Sequence, residues 1–228
     1  GYDVSSTVDA ISQIKPHGQA AIRPWKINGA LERAAIANAF HHNCIRSTEE
    51  IVATVDIEKH YHSPPLDIQL ILGDARQTLQ PLASQGWQAD AILFDPFSPT
   101  RCPQLWTVEF FTLVAQCLAH SGILATYSCS AAVRSAMGLA GLTIGSLPGI
   151  GRHWPCTIAT KDQRPLPGLS QQEQEHLQTR AAIPYRDPTL SATAKAIVAQ
   201  REQEQQQCQL EPTGAWRRRW LTGHQRPK

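Results

Sequence analysis

Three short apolar segments, separated by stretches of helical length, dominate the middle of this 228-residue chain. The apolar segments cover residues 68–72, 89–94 and 122–127, and residues 76–85 and 105–119 between them have helical spacings. Strands that are apolar on both faces are typical of parallel sheets with helices on both sides. The alternation therefore predicts an α/β fold with a doubly wound, mostly parallel sheet.

Further elements are predicted on both sides of this centre. They are helices over residues 5–14, 31–40 and 130–140, a loop over 47–66, and strands over 143–147 and 156–160. The last strand is a candidate for antiparallel pairing. Since 42% of the residues are apolar, a chain of this length can bury one sizeable core.

The composition changes after residue 160. Pro165 and Pro167 indicate a linker, and residues 170–178 and 191–207 have the pattern of polar helices rich in Glu and Gln. Residues 161–228 hold eleven Lys/Arg against seven Asp/Glu, a net charge of +4, whereas residues 1–160 carry −2. We predict an α/β domain over residues 1–160 and a basic, helical extension over residues 161–228.

Several classes of protein are excluded by simple patterns. The chain has no apolar run of about eighteen residues that would span a membrane, and its first thirty residues do not resemble a signal peptide. The six cysteines form no C-x-x-C pair, and the histidines have no metal-ligand spacing, so we expect neither disulfides nor a bound metal. These features favour a cytoplasmic protein that does not associate with membranes; they leave its oligomeric state open.

Asp74 follows the first of the central strands, in the sequence Gly73-Asp74-Ala75. Ligands of open α/β sheets bind at the carboxyl ends of the strands. A carboxylate there accepts hydrogen bonds from an exocyclic amine, and the small Ala75 leaves room for a flat ring. Asp is equally common as the N-cap of a helix, and the two roles are compatible.

Asp95 follows the next strand and begins the sequence Asp95-Pro96-Phe97-Ser98-Pro99. The two prolines fix their own φ angles and remove two donors, which leaves a stiff turn with exposed carbonyls. A carboxylate beside free carbonyls holds the N–H bonds of an amine and aims its lone pair, and Phe97 is suited to stack on a flat substrate. The alternative is an ordinary turn after a strand, which Asp-Pro sequences often form.

Two basic segments offer further contacts. Arg152 lies in a Gly-rich segment, and its guanidinium is suited to bind a phosphate or a carboxylate. The alternative is an ordinary hairpin with an exposed arginine. Trp216 and Trp220 flank three arginines and would lie on one helix face. This combination suits RNA binding, but a tail whose tryptophans pack on the core has the same pattern.

In sequence order, these residues resemble the MnmC-like methyltransferases, which modify the wobble uridine of tRNA. The resemblance spans residues 68–160 and includes Gly73-Asp74-Ala75, the segment 90–99, Pro103-Gln-Leu-Trp106, Leu124-Ala-Thr-Tyr-Ser128, Ala132-Val-Arg134 and Pro148-Gly-Ile-Gly-Arg152. An ordered series of motifs over about ninety residues is far more specific than any single motif.

The resemblance implies a Rossmann-like fold and methyl transfer from S-adenosylmethionine to the aminomethyl nitrogen on C5 of 2-thiouridine in tRNA. It assigns Asp95 to hold the nucleophilic amine and Asp74 and Ala75 to the adenine. Pro96, Phe97, Pro99 and Arg152 would surround the nucleotide. Bifunctional relatives add a flavin-dependent domain, which this chain is too short to contain, so we expect no flavin.

The start of the chain departs from the family pattern. Such enzymes open with a strand and a Gly-rich loop that binds the cofactor, and here only Gly1 and Tyr2 remain of it, with Asp3 where the family favours Asn. Lys26 or Asn28 stands where an acidic ribose ligand is expected. The sequence therefore predicts a fold that is incomplete at its amino terminus, or a copy that has lost cofactor binding.

Three functional hypotheses follow from the sequence. The first is the tRNA methyltransferase just described, in a stand-alone form without the oxidase domain. The second keeps the cofactor but places the methyl group on another small-molecule or protein amine. The third is a degenerate, non-catalytic chain that binds tRNA through its basic extension.

Overall fold

A computed structural model describes residues 25–27, 60–63, 66–149 and 153–220. The strands within these ranges are β1 (Trp25–Ile27), β2 (His60–Ser63), β3 (Leu66–Leu70), β4 (Ala89–Leu93), β5 (Leu118–Thr126), β6 (Thr143–Leu147) and β7 (Cys156–Thr160). The α-helices are α1 (Ala75–Thr78), α2 (Gln80–Ser84), α3 (Val108–Gln116), α4 (Ala131–Leu139), α5 (Gln171–His176), α6 (Ala194–Gln207) and α7 (Thr213–Trp220). Short 3₁₀ helices cover Pro103–Trp106 and Arg180–Ala182.

The described strands form two mixed sheets. The first has the order β1-β3-β2 and the second the order β4-β5-β7-β6. In the first sheet β1 runs parallel to β3 and β2 is reversed. In the second, β4 and β5 are parallel and β7 runs antiparallel to both of its neighbours. One strand is thus reversed in each sheet, which confirms the predicted mostly parallel arrangement and the antiparallel last strand.

Some predicted boundaries were wrong for identifiable reasons. The helix expected over residues 76–85 divides into α1 and α2 because Pro81, at the start of α2, has no backbone N–H to continue the first helix. Residues 118 and 119, predicted at the end of a helix over 105–119, belong to β5. His60 and His62, expected in a loop, lie in β2, which pairs with β3. The helices predicted over residues 5–14 and 31–40 lie outside the described residues.

An aromatic cluster forms the centre of the core beneath the second sheet. The Phe94 ring lies 5.1 Å from Trp106 in an edge-on arrangement and 5.2 Å from Phe111. Trp106 and Phe111 are completely buried. Edge-on aromatic pairs add to the stabilisation that burial of such large side chains provides. The segment that follows Asp95 in sequence is therefore anchored on a rigid base.

The extension packs against the α/β domain. Tyr185 and Ile197 belong to the same buried cluster as the Trp106 ring, and Ile197 is the one buried residue of α6. Pro167, in the predicted linker, accepts a hydrogen bond from the Ser146 N–H of β6 at 3.0 Å. The Trp216 side chain is buried and stacks on His176, with ring centroids 4.0 Å apart. Trp216 therefore packs on helix α5 of the extension itself, and RNA binding by the tail stays a prediction.

The division at residue 160 stays a prediction. Within the described ranges, no helix combines the length and the apolar character needed to cross a membrane.

Candidate active site at the carboxyl edge of the sheet

The ends of three neighbouring strands meet at one edge of the second sheet. The Phe94 N–H donates to the Ala125 carbonyl at 2.8 Å, so residues 95–97 emerge beside Tyr127. Since β7 is antiparallel and Thr157 pairs with Thr126, the residues before β7 also lie at this edge. Asp95, half-buried, therefore stands where ligands of open α/β sheets bind.

Two aromatic side chains hold the turn that begins at Asp95. The Tyr127 hydroxyl donates to the Pro96 carbonyl at 3.0 Å, and the Trp106 indole N–H donates to the Phe97 carbonyl at 2.8 Å. The two rings meet edge-on, 6.0 Å apart. We call Tyr127 and Trp106 the turn clamp. Because two consecutive carbonyls accept these hydrogen bonds, the turn that follows Asp95 is held in one conformation.

The turn clamp corrects one sequence-based expectation. The carbonyls of this turn were predicted to be exposed and available to an amine, yet those of Pro96 and Phe97 already accept hydrogen bonds within the protein. Phe97 is 66% exposed and Pro96 and Pro99 are half-buried, so the Phe97 ring is presented to ligands.

Asp74 is the N-cap of α1, as its position predicted. Its Oδ1 atom accepts the Arg76 N–H at 3.0 Å, and the Arg76 guanidinium binds Oδ2 at 2.7 Å. Hydrogen bonding from Arg76 lowers the pKa of the Asp74 carboxyl, which keeps it ionised. The Asp74 side chain is still 42% exposed, so the carboxylate remains accessible to a ligand.

Arg76 joins this edge to the extension. Its guanidinium also donates to the completely buried Asp187 carboxylate at 2.8 Å and to the Ala192 carbonyl at 2.9 Å. Asp187 in turn accepts the backbone N–H groups of residues 191 and 192. Sequence reasoning missed this contact, because Arg76 and Asp187 are 111 residues apart. The extension is thus tied to the segment that carries Asp74.

The segment that begins at Asp74 packs against the segment that follows the turn at Asp95. Helix α1 contacts the 3₁₀ helix at Pro103–Trp106, which comes after the turn. Burial is the main reason that the pKa of the Cys102 thiol is raised. Cys102 itself donates its backbone N–H to the Ser98 carbonyl at 2.9 Å. The two predicted ligand residues thus lie on segments that contact each other, although the strands before them belong to different sheets.

A buried ion pair supports the same edge farther along the sheet. Arg134 of α4 is 2% exposed and binds the Glu173 carboxylate at 2.7 Å. It also donates to the Thr157 hydroxyl at 2.9 Å, which in turn donates to the Ser128 carbonyl at 2.6 Å. Glu173 closes a capping box at the start of α5. The pair therefore connects the ends of β5 and β7 to the extension.

Glu173 should make stability depend on pH. Burial alone would raise the pKa of its carboxyl, but its hydrogen bonds and the Arg134 charge outweigh burial and lower the pKa to about 2. The unfolded carboxyl titrates near 4.5. The ionised Glu173 carboxyl therefore stabilises the fold fully above about pH 4.5, and the free energy of unfolding falls by roughly 2–3 kcal/mol as the pH is lowered towards 2.

Urea unfolding measured between pH 6 and pH 3 should show this loss of stability for the wild type and a smaller loss for Glu173→Gln. The exposed Glu202→Gln is the matched control, and equal curves for all three proteins would contradict the assignment.

Three predicted site residues lie in parts of the chain that the structure does not describe. Gly1, Tyr2 and Arg152 lie outside the described residues. The described part of the chain holds no group of three His, Cys, Asp or Glu side chains able to bind a metal ion. His60 does bind Asp67 at 2.7 Å, but both side chains are about half exposed.

The strand directions define an open α/β domain of the Rossmann-like class, and Asp74 and Asp95 each follow a strand of it. The sequence pattern of a family described as S-adenosyl-L-methionine-dependent methyltransferase matches residues 35–162. The chain belongs to this family.

Individual relatives agree with this assignment. The crystal structure of MNMC2 from Aquifex aeolicus superimposes with a TM-score of 0.64 and 28% sequence identity, covering 71% of this chain and 51% of that one. The tRNA 5-methylaminomethyl-2-thiouridine biosynthesis bifunctional protein MnmC of Azoarcus is 39% identical over 84 residues, which are 37% of this chain and 13% of that protein. An uncharacterized protein of Methanocaldococcus jannaschii, MJ0670, is 30% identical over 148 residues, 64% of this chain and 41% of that protein.

The predicted likeness to MnmC-like methyltransferases is thereby confirmed. The chain spans about half the length of the Aquifex structure and smaller shares of the other two proteins.

Proposed function

We propose that the chain transfers a methyl group from S-adenosylmethionine to the 5-aminomethyl nitrogen of a wobble 2-thiouridine in tRNA. The observation that carries the proposal is the Asp95 carboxylate at the ligand edge, on a turn that the clamp of Tyr127 and Trp106 holds rigid. The family of the chain supports the cofactor, and the names of the MnmC relatives support the acceptor. A cytoplasmic location follows from a tRNA substrate.

The proposed chemistry begins with the charge of the acceptor. An alkyl amine with a pKa near ~10 is mostly protonated at pH 7 and must lose a proton before it can attack. Asp95 accepts an N–H bond of the neutral amine and directs its lone pair towards the methyl group. As the new N–C bond forms, nitrogen becomes positive, and the carboxylate stabilises that charge. The proton that the acceptor loses before attack goes to water, and the methylated product keeps its positive charge as an ammonium ion.

The residues of this edge fit the adenine end of the cofactor. The exposed carboxylate of Asp74 is an acceptor for an exocyclic amine, and Leu72 beside it is 61% exposed and offers an apolar surface. Ala75 leaves room next to them. When bound, S-adenosylmethionine supplies the methyl group on its sulfonium, and its sulfur keeps the electrons of the broken bond. Gly1 and Tyr2 are proposed to contact the cofactor as well.

The acceptor nucleotide is assigned to the turn. Phe97 presents its exposed ring for stacking on the base, while Pro96 and Pro99 shape the turn around it. Arg152 is proposed to bind a phosphate of the tRNA, because its planar guanidinium suits that geometry. Stacking of unpaired bases on aromatic side chains is the usual way in which proteins read single-stranded RNA loops.

Removing one hydroxyl should test the turn clamp. Tyr127→Phe deletes the donor to the Pro96 carbonyl and keeps the ring, so we expect kcat for methyl transfer to fall about 10-fold while cofactor affinity stays unchanged. Steady-state kinetics and calorimetry measure the two quantities. Tyr185→Phe, which alters a buried tyrosine of the extension, is the matched control. An unchanged kcat for Tyr127→Phe would remove the clamp from the mechanism.

A comparison of acceptors tests the proposal itself. The chain is incubated with S-adenosylmethionine labelled in its methyl group and with one of three acceptors: tRNA carrying the aminomethyl nucleoside, tRNA without it, and a set of free amines. The proposal predicts label only in the first tRNA. Label in the free amines would favour another amine as substrate. Binding of tRNA without heat of binding for the cofactor would favour a non-catalytic chain.

A further inference from the structure

Exposed apolar side chains are concentrated at the ligand edge. The large hydrophobic side chains that are strongly exposed in the described ranges are Leu72, Phe97, Leu139 and Trp154. The first two lie beside Asp74 and Asp95. Single exposed apolar residues are common on proteins, but several at one edge indicate a binding surface. The role of Trp154 is not explained by cofactor or acceptor contacts.

The strand register places Trp154 at the same edge. It stands two residues before β7, whose first residue, Cys156, pairs with Leu147 at the end of β6. The next residue of β7 pairs with Thr126 at the end of β5. Because β5 lies between β4 and β7, Phe97 follows the strand on one side of β5 and Trp154 precedes the strand on its other side. Two exposed aromatic side chains thus flank the end of β5.

The immediate surroundings of Trp154 suit a nucleic acid. Its side chain is 49% exposed, so one face of the indole is open to a partner. The exposed ring of His153 meets it edge-on, with ring centroids 5.4 Å apart, and adds N–H groups beside the aromatic surface. Aromatic platforms with neighbouring polar donors bind unstacked bases regardless of base identity.

We propose that Trp154 is a second base-stacking site, which binds the nucleotide next to the acceptor nucleotide in a single-stranded RNA loop. The inference rests on the proposed tRNA function and deepens it. An acceptor base that leaves its stack to reach Asp95 also exposes the face of its neighbour. Phe97 and Trp154, on either side of the end of β5, are then able to stack on two different bases.

Binding of single-stranded RNA tests this site directly. The probes are a fluorescent oligouridine of seven nucleotides, an unmodified tRNA transcript and an RNA duplex. Trp154→Ala should weaken binding of the oligouridine and of tRNA about 5- to 100-fold and leave duplex binding unchanged. Trp154→Phe, which keeps an aromatic face, should restore most of the affinity.

Leu139→Ala is the matched control. Leu139 is 59% exposed but ends α4 on the side where β6 begins, the opposite edge of the sheet. Its substitution should not alter RNA affinity. If Trp154→Ala binds the oligouridine and tRNA as tightly as Leu139→Ala does, the stacking site is refuted.

Methyl transfer separates this inference from the proposed function. Activity is measured on aminomethylated tRNA and on the free 5-aminomethyl-2-thiouridine nucleoside. Trp154→Ala should reduce kcat/KM on tRNA at least 5-fold more than on the nucleoside, because only tRNA carries a neighbouring base. Equal losses on both acceptors contradict the stacking site alone. A wild-type chain that methylates neither acceptor contradicts the proposed function.

Discussion

Replacing Asp95 by alanine should reduce kcat for methyl transfer about 100- to 10,000-fold, since the carboxylate is the proposed contact of the acceptor nitrogen. Cofactor affinity should change little, because Asp74 and its neighbours remain in place. Single-turnover kinetics and calorimetry with S-adenosylmethionine measure the two effects. Asp95→Asn, which keeps the shape but loses the charge, should also be strongly impaired.

A nearby aspartate provides the control for this experiment. Asp90 lies in β4, is exposed and is five residues before Asp95, which follows that strand. Asp90→Ala also removes one carboxylate and should leave methyl transfer within about twofold of the wild type, as surface substitutions usually do. Equal activity of the Asp90 and Asp95 variants would refute the assigned role of Asp95.

Replacing Arg134 by alanine should lower the free energy of unfolding by about 3–5 kcal/mol, because it leaves the half-buried Glu173 carboxylate without its cation and removes a buried side chain. The substitution also breaks the hydrogen bond to Thr157 and opens a cavity beneath the end of β5. Urea unfolding followed by circular dichroism measures the change. Arg217→Ala, on the exposed face of α7, should shift stability by less than about 0.5 kcal/mol.

A double substitution distinguishes the ion pair from simple loss of packing. If both partners are replaced, in Arg134→Met with Glu173→Leu, no charge is left unpaired, and much of the lost stability should return. A double variant as unstable as the sum of the two single variants would show that the partners act independently. If Arg134→Ala unfolded at the same urea concentration as the wild type, a structural role for the pair would also be contradicted.

The central strands were predictable because their sequences are nearly all apolar. Segments 89–94, 143–147 and 156–160 needed little or no correction, and β7 is buried along its whole length. β2 was missed for the opposite reason. Its exposed histidines and the prolines after it resemble a loop, and only pairing with β3 makes this segment a strand.

The candidate site was predictable only in part. Asp74 and Asp95 follow apolar runs, so the sequence alone indicates that they lie at strand ends. The partners that fix them were not predictable. Arg76 meets Asp187 across 111 residues, and the Tyr127 hydroxyl reaches Pro96 across 31. Such contacts depend on how the strands are ordered in the sheet, which local patterns do not encode.

We propose that this chain methylates one nitrogen of the wobble nucleoside and that Asp95 holds this nitrogen. The most direct test is mass spectrometry of nucleosides from aminomethylated tRNA, incubated with S-adenosylmethionine and either the wild-type chain or Asp95→Asn. We expect the wild type to convert the aminomethyl into the methylaminomethyl nucleoside and the variant to do so only in traces. An unmodified nucleoside with the wild type, or equal conversion by both proteins, would contradict this proposal.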